Sequence, residues 1–269
     1  MNSETSIRVV VTGALGNVGQ EVIRAVLGAP DLVCVGAVDP RSSQLPPEAQ
    51  TVKSAVSVDD TMEPALYGAD VLVDFTHATA ALSNVLHAVS QGVSCVVGTT
   101  GLYPQALTQI DAAARERGVG VLVAPNFALG AVLMMRFAEE AARYFEWAEI
   151  VEMHHERKID APSGTALMTA TRMASVRAGE RPGFRTTPGE TEKLASARGA
   201  TGPGGIHIHA VRMPGLVAHQ MVMLGGEGET LTIRHDSTHR SSFMAGVLLA
   251  IRRIRHCHGL QVGLERLLD

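Results

Sequence analysis

Apolar runs recur along the first half of the chain, separated by polar, glycine-bearing turns. Residues 7–11 (Ile7-Arg8-Val9-Val10-Val11) form a short β-branched run, the pattern of a buried strand. Beyond a glycine-rich turn, Val22, Ile23, Val26 and Leu27 recur at helical spacing and predict an amphipathic helix with all four on one face. The alternation continues with strands over 32–38, 71–75, 93–97 and 119–124 and helices over 80–90 and 107–117. Strands alternating with helices predict a doubly wound parallel sheet of the α/β class. The second half reads differently. A helix over 131–144, a strand over 149–153 and a helix over 166–174 lead into a long loop over 178–205, rich in Gly, Pro, Thr and charge. Three strand-like runs follow, 206–212, 217–224 and 230–235, joined by Pro214-Gly215 and Gly225-Gly226, which predicts an antiparallel or mixed sheet. A last helix over 241–255 carries Phe243, Val247, Leu248, Ile251 and Ile254 as its apolar residues.

Composition adds mostly exclusions. A chain of 269 residues, 46% hydrophobic and 19% charged, is ample for a buried core and is not a disordered composition. The formal net charge of −4 gives no argument for nucleic acid. No apolar run approaches the roughly 18 residues that would predict a membrane span. Residues 1–6 are short and polar, so no signal peptide is expected; the cysteine usage fits a reducing cytoplasm, which is the expected location. Cys34, Cys95 and Cys257 lie far apart with no metal spacing, and Cys34 and Cys95 fall in apolar runs, so burial is expected of them.

The first turn changes the picture. Gly13-x-x-Gly16-x-x-Gly19 follows a strand and opens a helix, and Asp39 ends the next strand twenty residues past Gly19. Glycines there let the backbone approach a pyrophosphate at a helix N-terminus, and the acid meets the adenosine ribose. The alternative is a structural strand–turn–helix with a chance acid, but strand, helix and acid together favour a nucleotide site. The ends of the other strands, Gly98-Thr99-Thr100-Gly101 and Ala124-Pro125-Asn126-Phe127, would lie along the same crevice. Two domains are therefore expected: a Rossmann-like dinucleotide-binding domain over 1–127, onto which a C-terminal helix (241–269) packs back, and an α+β domain over 128–240. A cofactor in one and a substrate in the other, facing across a cleft with hinge closure, is the layout this predicts.

The densest chemistry lies in the stretch Glu152-Met153-His154-His155-Glu156-Arg157-Lys158-Ile159-Asp160-Ala161-Pro162-Ser163-Gly164-Thr165-Ala166, where a strand hands over to a helix. The helix's first N–H groups, Lys158 and one or both histidines would receive a small anion, most simply a carboxylate. Equally, a His-His pair at a strand end is often a solvated edge, and Pro-Ser-Gly-Thr an ordinary helix start capped by Ser163 or Thr165. His207 and His209 share a strand face, and His235 and His239 flank Asp236, but no third ligand completes a site, so no metal is expected.

These residues resemble the signature of the dihydrodipicolinate reductase family, now called 4-hydroxy-tetrahydrodipicolinate reductases. The resemblance rests on the stretch 152–166, with Asp74-Phe75-Thr76, Gly98-Thr99-Thr100-Gly101, Ala124-Pro125-Asn126-Phe127 and His235-x-Ser237-x-x-Arg240-x-x-Phe243 in family order over nearly the whole chain. It implies reduction of 4-hydroxy-tetrahydrodipicolinate, through its dehydrated form, to tetrahydrodipicolinate with NADH or NADPH, in lysine and diaminopimelate biosynthesis. It implies His154 as proton donor and acceptor and Lys158 as a proton donor. His155, Ser163, Gly164 and Thr165 would bind the dicarboxylate. Gly13, Ala14, Leu15, Gly16, Asn17, Val18, Asp39, Gly98, Thr99, Thr100, Ala124, Pro125, Asn126 and Phe127 would take the cofactor. A homotetramer joined through the substrate-domain sheets is implied as well. The chain departs from many relatives at Asn17-Val18, at Pro40 with Arg41 one further, and at His77-Ala78. Asp39 should accept a ribose 2′-hydroxyl and repel a 2′-phosphate, so NADH is expected to serve at least as well as NADPH. Two other readings compete: an NAD(P) oxidoreductase of a different imine or carbonyl acid, and a nucleotide sensor that has lost its chemistry. Intact His154, His155 and Lys158 argue against the sensor.

Overall fold

The computed structural model describes residues 6–42 and 56–268. The chain divides into two compact units, Met1–Phe127 with Arg240–Asp269, and Ala128–His239.

The first unit is a sheet of seven strands in the order β12-β6-β5-β4-β1-β2-β3, parallel throughout. These are β1 (Ile7–Thr12), β2 (Leu32–Val38), β3 (Val58–Asp59), β4 (Val71–Asp74), β5 (Ser94–Val97), β6 (Gly120–Val123) and β12 (Gly259–Val262). The helices are α1 (Asn17–Leu27), α2 (Glu63–Leu66), α3 (Ala78–Ser90), α4 (Pro104–Arg117) and, near the C-terminus, α7 (Met244–Ile254). Val9, Val10 and Val11 are all fully buried, as expected of a parallel strand covered on both faces rather than alternating. Each such side chain contributes about 1.5–3 kcal/mol of burial. Strand order reverses between β1 and β4, so their carboxyl ends, Thr12 and its partner Asp74, flank the switch point where such sheets take ligands.

Some expectations need correction. Leu27 is 48% exposed: α1 buries Val22, Ile23 and Val26, and Leu27 lies on the outer side of its last turn. The C-terminal segment is not one helix over 241–269. It opens with a 3-10 turn, Arg240–Phe243, then α7, then β12, which joins the sheet edge beside β6. Asp111 of α4 accepts from the Leu260 N–H at 2.8 Å and helps seat that strand. Strand β3 and helix α2 were not predicted. Cys95 is buried in β5 and Cys34 half-buried in β2, where burial pushes its thiol up to about 11. Among the described residues no helix is long and apolar enough to cross a membrane.

The second unit carries a mixed five-stranded sheet, β11-β10-β7-β9-β8. The strands are β7 (Trp147–His154), β8 (Ala200–Thr201), β9 (His207–Arg212), β10 (Ala218–Gly226) and β11 (Glu229–Ser237). Central β7 pairs antiparallel with β10 and parallel with β9. Its residues Ala148, Ile150 and Glu152 are buried, with Val222 and Leu224 of β10 and Ile208 of β9. Helices α5 (Leu129–Ala141) and α6 (Gly164–Ser175) bring Met134, Met135, Ala170 and Met173 into the same core. The stretch 178–205 is largely irregular, as expected, but it is pinned. Arg177 is buried, donates to the carbonyls of Ala142, Phe145 and Pro182, and stacks 4.4 Å over the buried Phe184 ring.

Candidate active site

In the first unit the turn after β1 has no room for a side chain at Gly13 or Gly19. Gly13 adopts φ +73°, and a Cβ there would lie 2.5 Å from the Phe75 carbonyl oxygen. A Cβ at Gly19 would collide with the Gly13 carbonyl, so the third glycine lets α1 close against the turn. Outside the strand ends lies a cavity of about 600 Å³, whose lining includes Gly13, Gly16, Asp39, Arg41, Thr76 and Asn84. A bare backbone turn, a helix N-terminus and an acid at the end of β2 fit a dinucleotide.

Asp39 is buried and fully engaged. One carboxylate oxygen accepts the Leu15 N–H at 3.0 Å; the other accepts the Arg41 N–H at 3.0 Å, and the Arg41 guanidinium grips both at 2.9 Å. Burial alone would raise its pKa, but these bonds outweigh burial and hold the carboxyl below its usual range. The Arg41 side chain is 58% exposed, so it presents positive charge on the outer side of the acid. This alters the expectation that Asp39 simply repels a 2′-phosphate, because its charge is offset in place.

A second carboxylate organises the strand ends. Asp74 is fully buried and accepts from Thr12 Oγ1 at 2.8 Å, the Thr76 N–H at 3.1 Å, Thr76 Oγ1 at 2.8 Å, Asn84 Nδ2 at 2.9 Å and Thr99 Oγ1 at 2.8 Å. It thereby ties the ends of β1, β4 and β5 to α3. Of the sequence-predicted cofactor residues, Gly13, Gly16 and Asp39 line the cavity. Ala14 and Leu15 are buried in the turn, while Asn17 and Val18 open α1. Gly98, Thr99 and Thr100 follow β5; Ala124, Pro125, Asn126 and Phe127 follow β6, with the Phe127 and Phe75 rings 5.7 Å apart. These two groups lie at the carboxyl ends of neighbouring strands and are not among the residues that line the cavity.

In the second unit, Glu152 is the centre. Its side chain is wholly buried near the end of β7, and its carboxylate faces His154 Nδ1 at 2.5 Å. It accepts the Ser163 N–H at 3.1 Å and both terminal nitrogens of Arg212, at 2.9 and 2.8 Å. Arg212 also donates to the Asp160 carbonyl at 2.8 Å. One buried acid therefore holds the strand end, the loop and the start of α6 together. Ser163 caps α6 by accepting from the Ala166 N–H at 3.3 Å. Lys158 pairs with the Asp160 carboxylate at 2.9 and 3.0 Å, and its ammonium holds that acid below the usual range. His155 Nδ1 is buried without a hydrogen-bond partner. A Cβ at Gly164 would meet no protein atom within 4 Å, so the backbone there borders open space. Thr165 is the next residue of the same helical turn and is half-buried.

Two further histidines are tied to acids. His209 bonds Glu149 at 2.7 Å, and His219 bonds Asp236 at 2.7 Å. Among the described residues no group of three His, Cys, Asp or Glu side chains is placed to hold a metal ion.

Four residues not singled out from sequence as site residues emerge: Arg41 and Asp74 in the first unit, Glu152 and Arg212 in the second. A signal existed for Glu152. It occupies the inward register of β7 with Ala148 and Ile150, where a charge needs partners.

Comparison with known proteins covers both units. Residues 7–127 match the family model for the dihydrodipicolinate reductase N-terminus, and residues 130–268 that for its C-terminus. A 4-hydroxy-tetrahydrodipicolinate reductase of Moorella thermoacetica is 50% identical over 274 residues, covering 98% of both chains. One from Synechocystis is 43% identical over 281 residues, covering 100% of both. A dipicolinate-bound dihydrodipicolinate reductase from a Paenisporosarcina species matches with a TM-score of 0.87 at 39% identity, covering 98% of this chain and 100% of that one. GenD2 from gentamicin A biosynthesis, in complex with NAD, shares the fold at a TM-score of 0.62 and 16% identity.

Proposed function

The chain belongs to the dihydrodipicolinate reductase family, and on that premise we propose how its own residues carry the family's reaction. The enzyme reduces 4-hydroxy-tetrahydrodipicolinate, through its dehydrated form, to tetrahydrodipicolinate with NADH or NADPH, in diaminopimelate and lysine biosynthesis. The observation that supports this assignment of roles best is the anchoring of His154 and the start of α6 to one buried carboxylate, with Lys158 on the loop between them.

The bound nicotinamide supplies the hydride. The chain binds, orients and protonates. Lys158, His155 and the first N–H groups of α6 at Gly164 and Thr165 receive the substrate carboxylates, because charge-assisted bonds to a carboxylate are the strong ones. Hydride addition to a conjugated imine pushes electron density onto the ring, and His154 or Lys158 delivers the proton that neutralises it. The residues 13–18, Asp39, 98–100 and 124–127 seat the dinucleotide. A homotetramer formed through the exposed face of the β7–β11 sheet and a cytoplasmic location complete the proposal; Met213 and Leu231, 51% and 37% exposed, would be covered in that assembly.

The deciding experiment is a coupled assay. Purified synthase, pyruvate and aspartate semialdehyde generate the substrate, and NADH and NADPH loss are followed in parallel. Oxidation that needs every component is the expected result. No oxidation while NADH still binds would move the assignment to another imine or carbonyl acid, or to a sensor.

Two substitutions test the parts. Arg41→Ala should raise the KM for NADPH about tenfold, the effect of one lost charge-assisted bond, and change that for NADH little. An equal rise for both cofactors would place Arg41 elsewhere. Gly164→Ala should leave the thermal midpoint within about a degree, since a surface change away from packing moves stability little. It should nonetheless raise the KM for the dicarboxylate severalfold, because the added methyl points into space that the protein leaves open.

A further inference from the structure

Glu152 and His154 lie two residues apart on β7, so their side chains leave the same face of the strand. All the other contacts that Glu152 makes are with donors: the Ser163 N–H and two guanidinium nitrogens of Arg212. Burial opposes its ionisation, yet the bonds from His154 and Arg212 outweigh it and keep the acid below its usual range. An ionised carboxylate can only accept. The proton in the 2.5 Å contact therefore sits on His154 Nδ1. The His154 ring makes no other hydrogen bond among the described residues, which leaves Nε2 for the substrate.

We propose that Glu152 is a positioning residue, which holds His154 in the Nδ1–H tautomer with Nε2 as its working nitrogen, while Arg212 fastens the Lys158 loop to the same carboxylate. This rests on the reading of His154 as the group that exchanges a proton with the substrate. In the reductive direction the His154 imidazolium gives up its Nε2 proton to the ring that has received the hydride. Nδ1–H stays bonded to Glu152, and the imidazole is left neutral. Nothing in the cycle requires Glu152 to take a proton, and the wrong tautomer would present an N–H where a lone pair must later be reloaded.

The two halves of the proposal separate in experiment. Uniformly ¹⁵N-histidine-labelled full-length enzyme, with the His154 signal assigned by its loss in His154→Gln, reports the tautomer directly. The wild type should show a protonated Nδ1 and an unprotonated Nε2 in its neutral form. An unprotonated Nδ1 in the wild type overturns the proposal without any variant. Glu152→Gln, whose amide can donate or accept, should give mixed tautomers and a kcat lower by on the order of 10²-fold, with cofactor KM unchanged. Glu152→Asp keeps the charge and should recover part of the loss. Arg212→Met should keep the Nδ1–H tautomer and raise the KM for the dicarboxylate, because it frees the loop and leaves the histidine paired. A Glu152→Gln enzyme that retains the single tautomer and kcat within about twofold overturns the positioning role. A His154→Gln enzyme with unchanged turnover sinks the underlying reading instead, and the tautomer measurement then stands or falls alone.

Discussion

Lys158→Ala is expected to lower kcat by about 10²–10⁴-fold, the usual worth of a placed acid, while NADH binds as before. In the structure the ammonium is held by Asp160 at 2.9 and 3.0 Å, an ion pair whose carboxylate partner is 62% exposed. Exposed pairs of this kind are screened by solvent and contribute little to stability, so the lysine is not kept in place by a strong competing bond. A substrate carboxylate can displace Asp160 at small cost. The cavity proposed for the nucleotide is lined by residues of the first unit and includes no residue of the Lys158 loop. That is why cofactor affinity, read by fluorescence titration of NADH, should not move. Lys158→Arg should not restore full turnover, because a guanidinium remains protonated at any working pH and cannot give up a proton. Unchanged kcat in the alanine variant would refute a role in turnover. A parallel loss of NADH affinity would show that the loop acts through the fold rather than on the substrate.

How much of this was legible beforehand depends on the length scale of the signal. The parallel sheet was plain because Val9-Val10-Val11 and Cys95-Val96-Val97 are unbroken apolar runs, which only a strand covered on both faces tolerates. The switch point followed from the glycine turn and the alternation. Strand β12 escaped notice because it has four residues, and only Gly259 among them is buried. Its place comes from outside itself, through Asp111 and the edge of β6. Strand β3, of two residues, has the same character. Leu27 was misplaced because helical periodicity ignores where a helix ends, and α1 stops at that residue.

The sites divide the same way. His154, His155, Lys158 and the Ser163 cap stand close in sequence, so their common place at one strand–helix junction could be read directly. Arg212 lies sixty residues from Glu152, and only the parallel register of β9 beside β7, which sets His154 opposite Arg212, brings it in. Asp39 was legible as an acid ending β2 beside the glycine turn, but its pairing with Arg41 depends on the local turn. A repulsive acid and a neutralised one share the same sequence signal.

Asp74→Ala is expected to destabilise the first unit by on the order of 3 kcal/mol or more, since each buried donor left unpaired costs about 1–3 kcal/mol. Thr12 and Thr99, both buried, would lose their 2.8 Å partner. The consequence for function should exceed the loss of stability. Thr12 precedes the glycine turn, Thr76 and Asn84 line the cavity, and Thr99 follows β5. One carboxylate therefore holds three residues of the cavity wall, Thr12, Thr76 and Asn84, and ties them to the end of β5. Asp74→Asn isolates that function, because it preserves volume and one acceptor but turns an N–H₂ toward groups that donate. Its cofactor KM should rise by an order of magnitude or more, about 1.4 kcal/mol per tenfold, even at a temperature where circular dichroism shows it fully folded. The Lys158 loop lies in the other unit, so substrate KM at saturating cofactor should be unchanged. A folded Asp74→Asn enzyme with wild-type cofactor KM would mean that the strand ends hold their places without this acid, and that its five bonds serve the fold alone.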